Sequence, residues 1–168
     1  MNATSSPLVL ETAARKAASF FRQYRTAFLT SLLFGFLAYG FAFTNKLINH
    51  DEAHSLFMKG GTVTSGRWGL GALDAIFPNY SMPWIYGILT VLLVAAAVCV
   101  LVSLFGIRNR VLQGLLAGAV MVFPSLIGLF GYMFTSSSFG LAFFLAVLSA
   151  KLLQVPKFRY LLAAGGCL

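Results

Sequence analysis

Apolar residues are not spread evenly along this chain; they gather into four runs that contain almost no charge. The first run extends from Thr26 to about Asn45, with LTSLLFGFLAYGFAF at its centre. The second covers Pro83 to Phe105, the third Val111 to Phe134 with Pro124 inside it, and the fourth Phe139 to about Leu153. Each of the first three is long enough, as a helix, to cross a hydrocarbon layer about 30 Å thick. The fourth is shorter and reaches across if Thr135–Ser138 and Leu152–Val155 lie at the boundaries, with Lys151 extending its ammonium to the interface. Lipid offers no partner to a free backbone N–H or C=O, so the runs are expected to be helices. The pattern therefore predicts an all-α membrane protein with about four transmembrane helices, near 26–45, 83–105, 111–134 and 139–153.

Composition agrees. Of the 168 residues 59% are hydrophobic and 10% charged, and the mean hydropathy is +0.85. A soluble domain of that size needs far more polar surface to cover itself. The two cysteines, Cys99 and Cys167, lie in apolar surroundings without metal-ligand spacing and read as small hydrophobes. The apolar run after Arg15, Lys16, Arg22 and Arg25 is too long for the core of a signal peptide, so the first crossing is expected to be retained. Glu11–Tyr24 suits a short amphipathic helix on the membrane surface, or a disordered tail.

The formal charge of +8 changes the picture only through where the cations fall. They flank the apolar runs instead of forming a solvated patch, which argues against a nucleic-acid partner. Arg15, Lys16, Arg22, Arg25, Arg108, Arg110, Lys151, Lys157 and Arg159 make nine on one side of the predicted topology. Lys46, Lys59 and Arg67 make three on the other. The positive-inside rule then predicts a cytoplasmic N-terminal segment (1–25) and outer loops at 46–82 and 135–138. Tyr160–Leu168 reads as the possible start of a fifth helix, and so as the front of a longer membrane protein; a frayed apolar tail is the alternative.

Candidate chemistry concentrates in the 46–82 loop, which is long for so compact a chain. Asn49 can cap a helix whose first turn holds Asp51 and Glu52 and which stops at Gly60-Gly61. Ala53, Leu56, Phe57 and Gly60 share one face of it, as expected of an interfacial helix. A second short helix is predicted from near Ser65 to Pro78. Asp51, Glu52 and Asp74 are the only acids outside the N-terminal segment. A carboxylate at a membrane boundary is costly unless hydrated, paired or metal-bound. Asp51 and Glu52 are thus candidates for a general base, or for a pair holding a divalent cation or a sugar hydroxyl. The competing reading is that both acids only stabilise the helix start. His50 and His54 lie one turn apart but lack a third metal ligand in range, and read first as interfacial polar groups. Arg67, between Gly66 and Trp68-Gly69, and Lys59 could receive a phosphate. Trp68 and Trp84 fit an aromatic belt.

The stretch His50-Asp51-Glu52, followed by Ser65-Gly66-Arg67-Trp68-Gly69 in the first outer loop, resembles bacterial glucosyl transferase family II. These are polytopic proteins of the O-antigen modification type, with a layout related to GT-C glycosyltransferases. The resemblance covers roughly Thr26 onward. It implies a bacterial inner-membrane glycosyltransferase that takes a hexose from a polyprenyl-phosphate donor on the periplasmic face, with a cell-surface polysaccharide as acceptor. It assigns Asp51, with Glu52, the catalytic place in the first outer loop. By the same analogy Arg67, with His54 and Trp68, would bind substrate, Arg67 at the departing lipid phosphate. Many GT-C proteins carry a further acid in the second outer loop; here that loop reads Thr135-Ser136-Ser137-Ser138, which leaves metal dependence open. A non-enzymatic membrane protein that helps move a lipid-linked sugar is the alternative from another class, along with an inactive fragment. The long, structured 46–82 loop argues against a translocation helper, which should carry its polar groups between the helices; apart from Lys151 at a boundary, the runs hold no charge.

Overall fold

The computed structural model describes residues 6–45 and 82–154. They form five helices: α1 (Ser6–Thr44), α2 (Pro83–Leu104), α3 (Arg110–Met121), α4 (Pro124–Phe130) and α5 (Met133–Leu152). Among the described residues there is no strand. Three helical stretches are long and apolar enough to cross a membrane: Ala14–Thr44, Pro83–Leu104 and Met133–Leu152. The α3–α4 pair makes a fourth if its two pieces are one span. The chain is an all-α membrane protein.

α2 is the centre of the bundle. Val91, Val94, Ala95, Ala97, Val98 and Val102 are wholly buried, and it packs against α1, α3 and α5. β-Branched and small residues predominate there, so backbones approach closely without the solvent-driven term that assembles soluble cores. α1 offers α2 and α3 a single seam: Tyr24, Ala27, Ser31, Gly35, Tyr39 and Phe43 recur every three or four residues and are buried. The opposite face, including Leu29, Leu33, Leu37 and Phe41, is exposed, as a lipid-facing surface is. At Gly35 three helices meet; a Cβ there would lie 2.7 Å from Met121 Cε and 2.8 Å from Val91 Cγ1.

Side-chain pairs set the relative directions. Thr30 faces Gly114, Phe34 faces Gly118, and the Tyr39 hydroxyl donates to the Met121 carbonyl at 2.7 Å, so α1 and α3 run parallel. The Thr90 hydroxyl donates to Ser136 Oγ at 3.0 Å and Lys151 Nζ donates to the Ser103 carbonyl at 3.0 Å, so α2 and α5 run together in the other direction. One end of the bundle therefore gathers the end of α1, the starts of α2 and α5, and α4. We call it the loop end, because both described flanks of 46–81 are there.

Three expectations change. The third apolar run is not one continuous helix over 111–134. It breaks after Met121 and resumes at Pro124, with a bend of 51° between α3 and α4. Proline has no N–H to offer and its ring clashes with the preceding turn, so a new helix starts with proline at its first position. The second difference is at Thr135–Ser138, expected as an outer loop before a helix at 139. These residues lie inside α5 and are buried. Ser136 donates to the Met133 carbonyl at 2.9 Å and receives Thr90, so its hydroxyl is satisfied without water. The third concerns the basic N-terminal segment. Glu11–Tyr24 is neither a separate surface helix nor a tail, but continues unbroken into the first span.

Candidate functional site

The candidate residues Asp51, Glu52, His54, Arg67 and Trp68 lie outside the described residues, as do His50, Lys59 and Asp74. So do the two predicted interfacial helices of that loop and the suspected fifth helix at 160–168. The described structure shows the platform from which their loop departs.

That platform is built from aromatic rings. Phe43, the penultimate residue of α1, is almost fully buried and its ring lies against the backbone of Gly87 in the second turn of α2. Any side chain at 87 would occupy the space of that ring. The contact holds the departing and returning ends of the loop side by side. Phe130, the last residue of α4, stacks on Tyr39 with ring centroids 3.9 Å apart and meets Phe43 at 5.6 Å. Phe36 closes on Phe43 edge-on at 6.0 Å. Such pairs add about 0.5–1.5 kcal/mol each beyond the area they bury.

Tyr39 does a second job. The break between α3 and α4 leaves terminal carbonyls of α3 without helical partners. The Tyr39 hydroxyl supplies one, at the Met121 carbonyl, from a side chain that is itself buried. The bend is thus fastened to α1. Beside it lies a groove of about 390 Å³ lined by Ala38, Tyr39, Phe41, Ala42, Val122, Ile127, Phe130 and Gly131. Its walls are mostly apolar, and it sits at the loop end of the bundle.

α1 itself finishes with local polar contacts. The Thr44 hydroxyl donates to the Gly40 carbonyl at 3.1 Å, and Asn45 Nδ2 donates to the Phe41 carbonyl at 3.0 Å. The Phe41 carbonyl also accepts the Asn45 N–H at 3.0 Å, so these side chains add second bonds to carbonyls in the last turns of α1. Next to the platform, inside the bundle, Thr90 and Ser136 form a buried hydroxyl pair, and Ser137 Oγ has no hydrogen-bond partner among the described residues. Among those residues no group of three His, Cys, Asp or Glu side chains is arranged to hold a metal.

Tyr39, Phe43, Gly87 and Phe130 were not singled out by the sequence reading. One signal was available: Ser31, Gly35, Tyr39 and Phe43 form a strict four-residue row in the first apolar run. Nothing local in the sequence pairs that row with Phe130 or Gly87.

The chain matches a protein-family model described as Glucosyl transferase GtrII over residues 40–168. The matched part begins in the last turns of α1 and takes in the whole 46–81 segment together with α2 to α5. No curated protein and no solved structure matches the chain. A match over more than three-quarters of the residues, on a bundle of membrane-crossing helices, shows that this chain belongs to the GtrII family of glucosyl transferases.

Proposed function

We propose that the chain transfers glucose from a polyprenyl-phosphate donor to a cell-surface polysaccharide such as O-antigen, on the periplasmic face of the bacterial inner membrane. The observation that carries this reading is the family match, which spans the entire acid-bearing loop between α1 and α2. In this reading Asp51, with Glu52 beside it, accepts the proton of an acceptor hydroxyl as that oxygen attacks the anomeric carbon. The bond from the anomeric carbon to the lipid phosphate breaks, and the phosphate leaves with the bonding electrons. Arg67 stabilises the charge that develops on it, while His54 and Trp68 contact the sugar. A divalent cation, if one is used, would be held by Asp51 and Glu52.

The platform supports the same reading. A polyprenyl donor keeps its tail in lipid and its phosphate at the boundary, so its site needs apolar walls directly below a polar loop. The groove along Tyr39, Ile127 and Phe130 offers such walls at the end of α1 that leads into the loop. Sidedness rests on charge. All seven described cations, Arg15, Lys16, Arg22, Arg25, Arg108, Arg110 and Lys151, lie toward the opposite end of the bundle, which the positive-inside rule makes cytoplasmic.

Asp51→Asn in native membranes tests the mechanism. Glucose transfer from a radiolabelled polyprenyl-phosphate donor is expected to fall at least about a hundredfold at unchanged protein level. Undiminished transfer removes Asp51 from the reaction. Topology is tested independently by cysteine labelling in intact cells. A cysteine at Ser65 is expected to react with a membrane-impermeant maleimide and one at Asn109 to be protected; the reverse pattern overturns the orientation.

A further inference from the structure

α1 has 39 residues and is therefore about 58 Å long, nearly twice the thickness of a hydrocarbon core. Its buried seam against the bundle begins at Tyr24, with Phe20 packed against the same core, and the Tyr24 carbonyl receives Cys99 Sγ at 3.9 Å from the last third of α2. Going back from Tyr24, α1 runs beside the last turn of α2 and then past its end, where Lys151 and Gln154 reach the last carbonyls of α2. This arm is two-faced. Phe20, Phe21, Tyr24 and Phe28 form a continuous aromatic contact on one side, with Phe20 and Tyr24 centroids 4.7 Å apart. Arg15, Ser19, Arg22 and Gln23 share the other side and, with Ala18, line a shallow concavity of about 370 Å³. Lys16 and Arg25 flank it and are exposed.

The basic face is short of counter-charge. Glu11 is the only acid among the described residues, and it pairs with Arg15 at 2.7 Å. Lys16, Arg22 and Arg25 have no carboxylate partner among the described residues. We propose that this face of α1, centred on Arg22 with Arg15, Lys16 and Arg25, is a docking surface for the headgroups of anionic phospholipids. Charge complementarity and depth together select that partner. The arm emerges where α2 ends, at the level of a headgroup layer, and its aromatic side directs the cations outward along the membrane boundary. Guanidinium groups match phosphodiester oxygens in two parallel hydrogen bonds, and long side chains can extend to them. A nucleic acid would require the same cations on a surface facing away from the membrane. These residues precede the segment matched by the family model, so the proposal stands apart from glucosyl transfer.

The test uses the full chain in neutral detergent and counts retained lipids by native mass spectrometry, with dioleoylphosphatidylglycerol and dioleoylphosphatidylcholine as competing probes. Preferential retention of the anionic lipid is expected, weakening as salt rises. Replacing Arg15, Arg22 and Arg25 together by glutamine is expected to reduce the preference at least tenfold, since each charge at such a surface contributes about fivefold. Circular dichroism checks that helicity survives. The triple lysine variant keeps the charge and is expected to keep most of the preference. Equal retention of the two lipids by the unaltered chain overturns the proposal, as does an undiminished preference in the glutamine variant or an equal loss in the lysine variant. Displacement of the anionic lipid by a short RNA would overturn it in favour of a different partner.

Discussion

The two ends of this bundle are held together in different ways. At the loop end the contacts are between buried rings and backbone: Tyr39 on Phe130, Phe43 on Phe130 and Phe43 on Gly87, joined by buried hydrogen bonds from Tyr39 to Met121 and from Thr90 to Ser136. At the opposite end they are polar, nearer the surface, and mostly made to carbonyls. Lys151 reaches Ser103 at 3.0 Å, Gln154 reaches Leu104 at 3.4 Å, and Asn109 caps α3 by accepting the Val111 N–H at 2.8 Å. The turn between α2 and α3 there depends on Gly106, whose φ of +65° suits a residue without a Cβ. Polar contacts at a boundary compete with water and tolerate adjustment; interlocked rings in a dry setting have few alternative arrangements. The ring-packed construction lies at the end where residues 46–81 leave the described helices, and well-packed elements are the better support for a candidate site.

Phe43→Ala is the severest challenge to this contrast. It removes a ring packed against α2 and α4 at once and leaves a void beside Gly87. A loss of about 3 kcal/mol is expected from large-to-small changes of this kind, read as a lower unfolding midpoint in detergent by intrinsic fluorescence. Glucosyl transfer should fall with it, because the two ends of the loop lose their common anchor. A stability change below about 1 kcal/mol would mean that the ring cluster does not fasten the loop end.

Tyr39→Phe comes next and separates the two roles of that side chain. The stacked ring is kept and only the hydroxyl is removed. The expected cost is about 1 kcal/mol, near the upper range for buried hydrogen bonds between membrane helices. Because the hydroxyl fastens the α3–α4 bend, hydrogen exchange at Val122 should rise relative to that in α2. Unchanged exchange would mean that Pro124 alone maintains the break.

What could be read from the sequence divides along the same physical lines. The apolar runs are legible because a helix that crosses lipid must satisfy a length and a composition that few other segments satisfy. The fold class follows from them, and the family is legible through short motifs in the 46–82 loop. The break at Phe123 was not, since proline is tolerated inside many membrane helices and only the Tyr39 contact, 82 residues away from Met121, shows the bend in use. Thr135–Ser138 looked like a boundary because its residues are polar. Their burial depends on Thr90, 46 residues before Ser136, which no local pattern connects to them. The unbroken length of α1 was equally hidden, because a change from apolar to basic residues marks where a membrane ends without marking where a helix ends. As for the site, Asp51, Glu52 and Arg67 could be chosen by residue type and place in the loop. The rings at the flanking helix ends could not, because Phe43, Gly87 and Phe130 carry no chemistry of their own and become informative only as contacts.

Lys151→Met probes the other end and should have the smallest effect. Methionine keeps an apolar stem of similar length, so packing against α2 is largely retained. The substitution removes the donor to the Ser103 carbonyl and to Gln154 Oε1, both at 3.0 Å. Lys151 is only partly buried, so water can replace the lost partner at a carbonyl that is already near the surface. A loss of no more than about 0.5 kcal/mol is expected, in the range of surface substitutions, and glucosyl transfer should be unchanged. Measured in the same detergent, Lys151→Met and Tyr39→Phe each remove a donor to a backbone carbonyl, one at each end of the bundle. If burial gives the loop end its stiffness, Tyr39→Phe must cost more. A larger loss from Lys151→Met would mean that α5 is fastened to α2 mainly at the basic end, and that the rings around Phe130 fill space without bearing the strain of holding the loop.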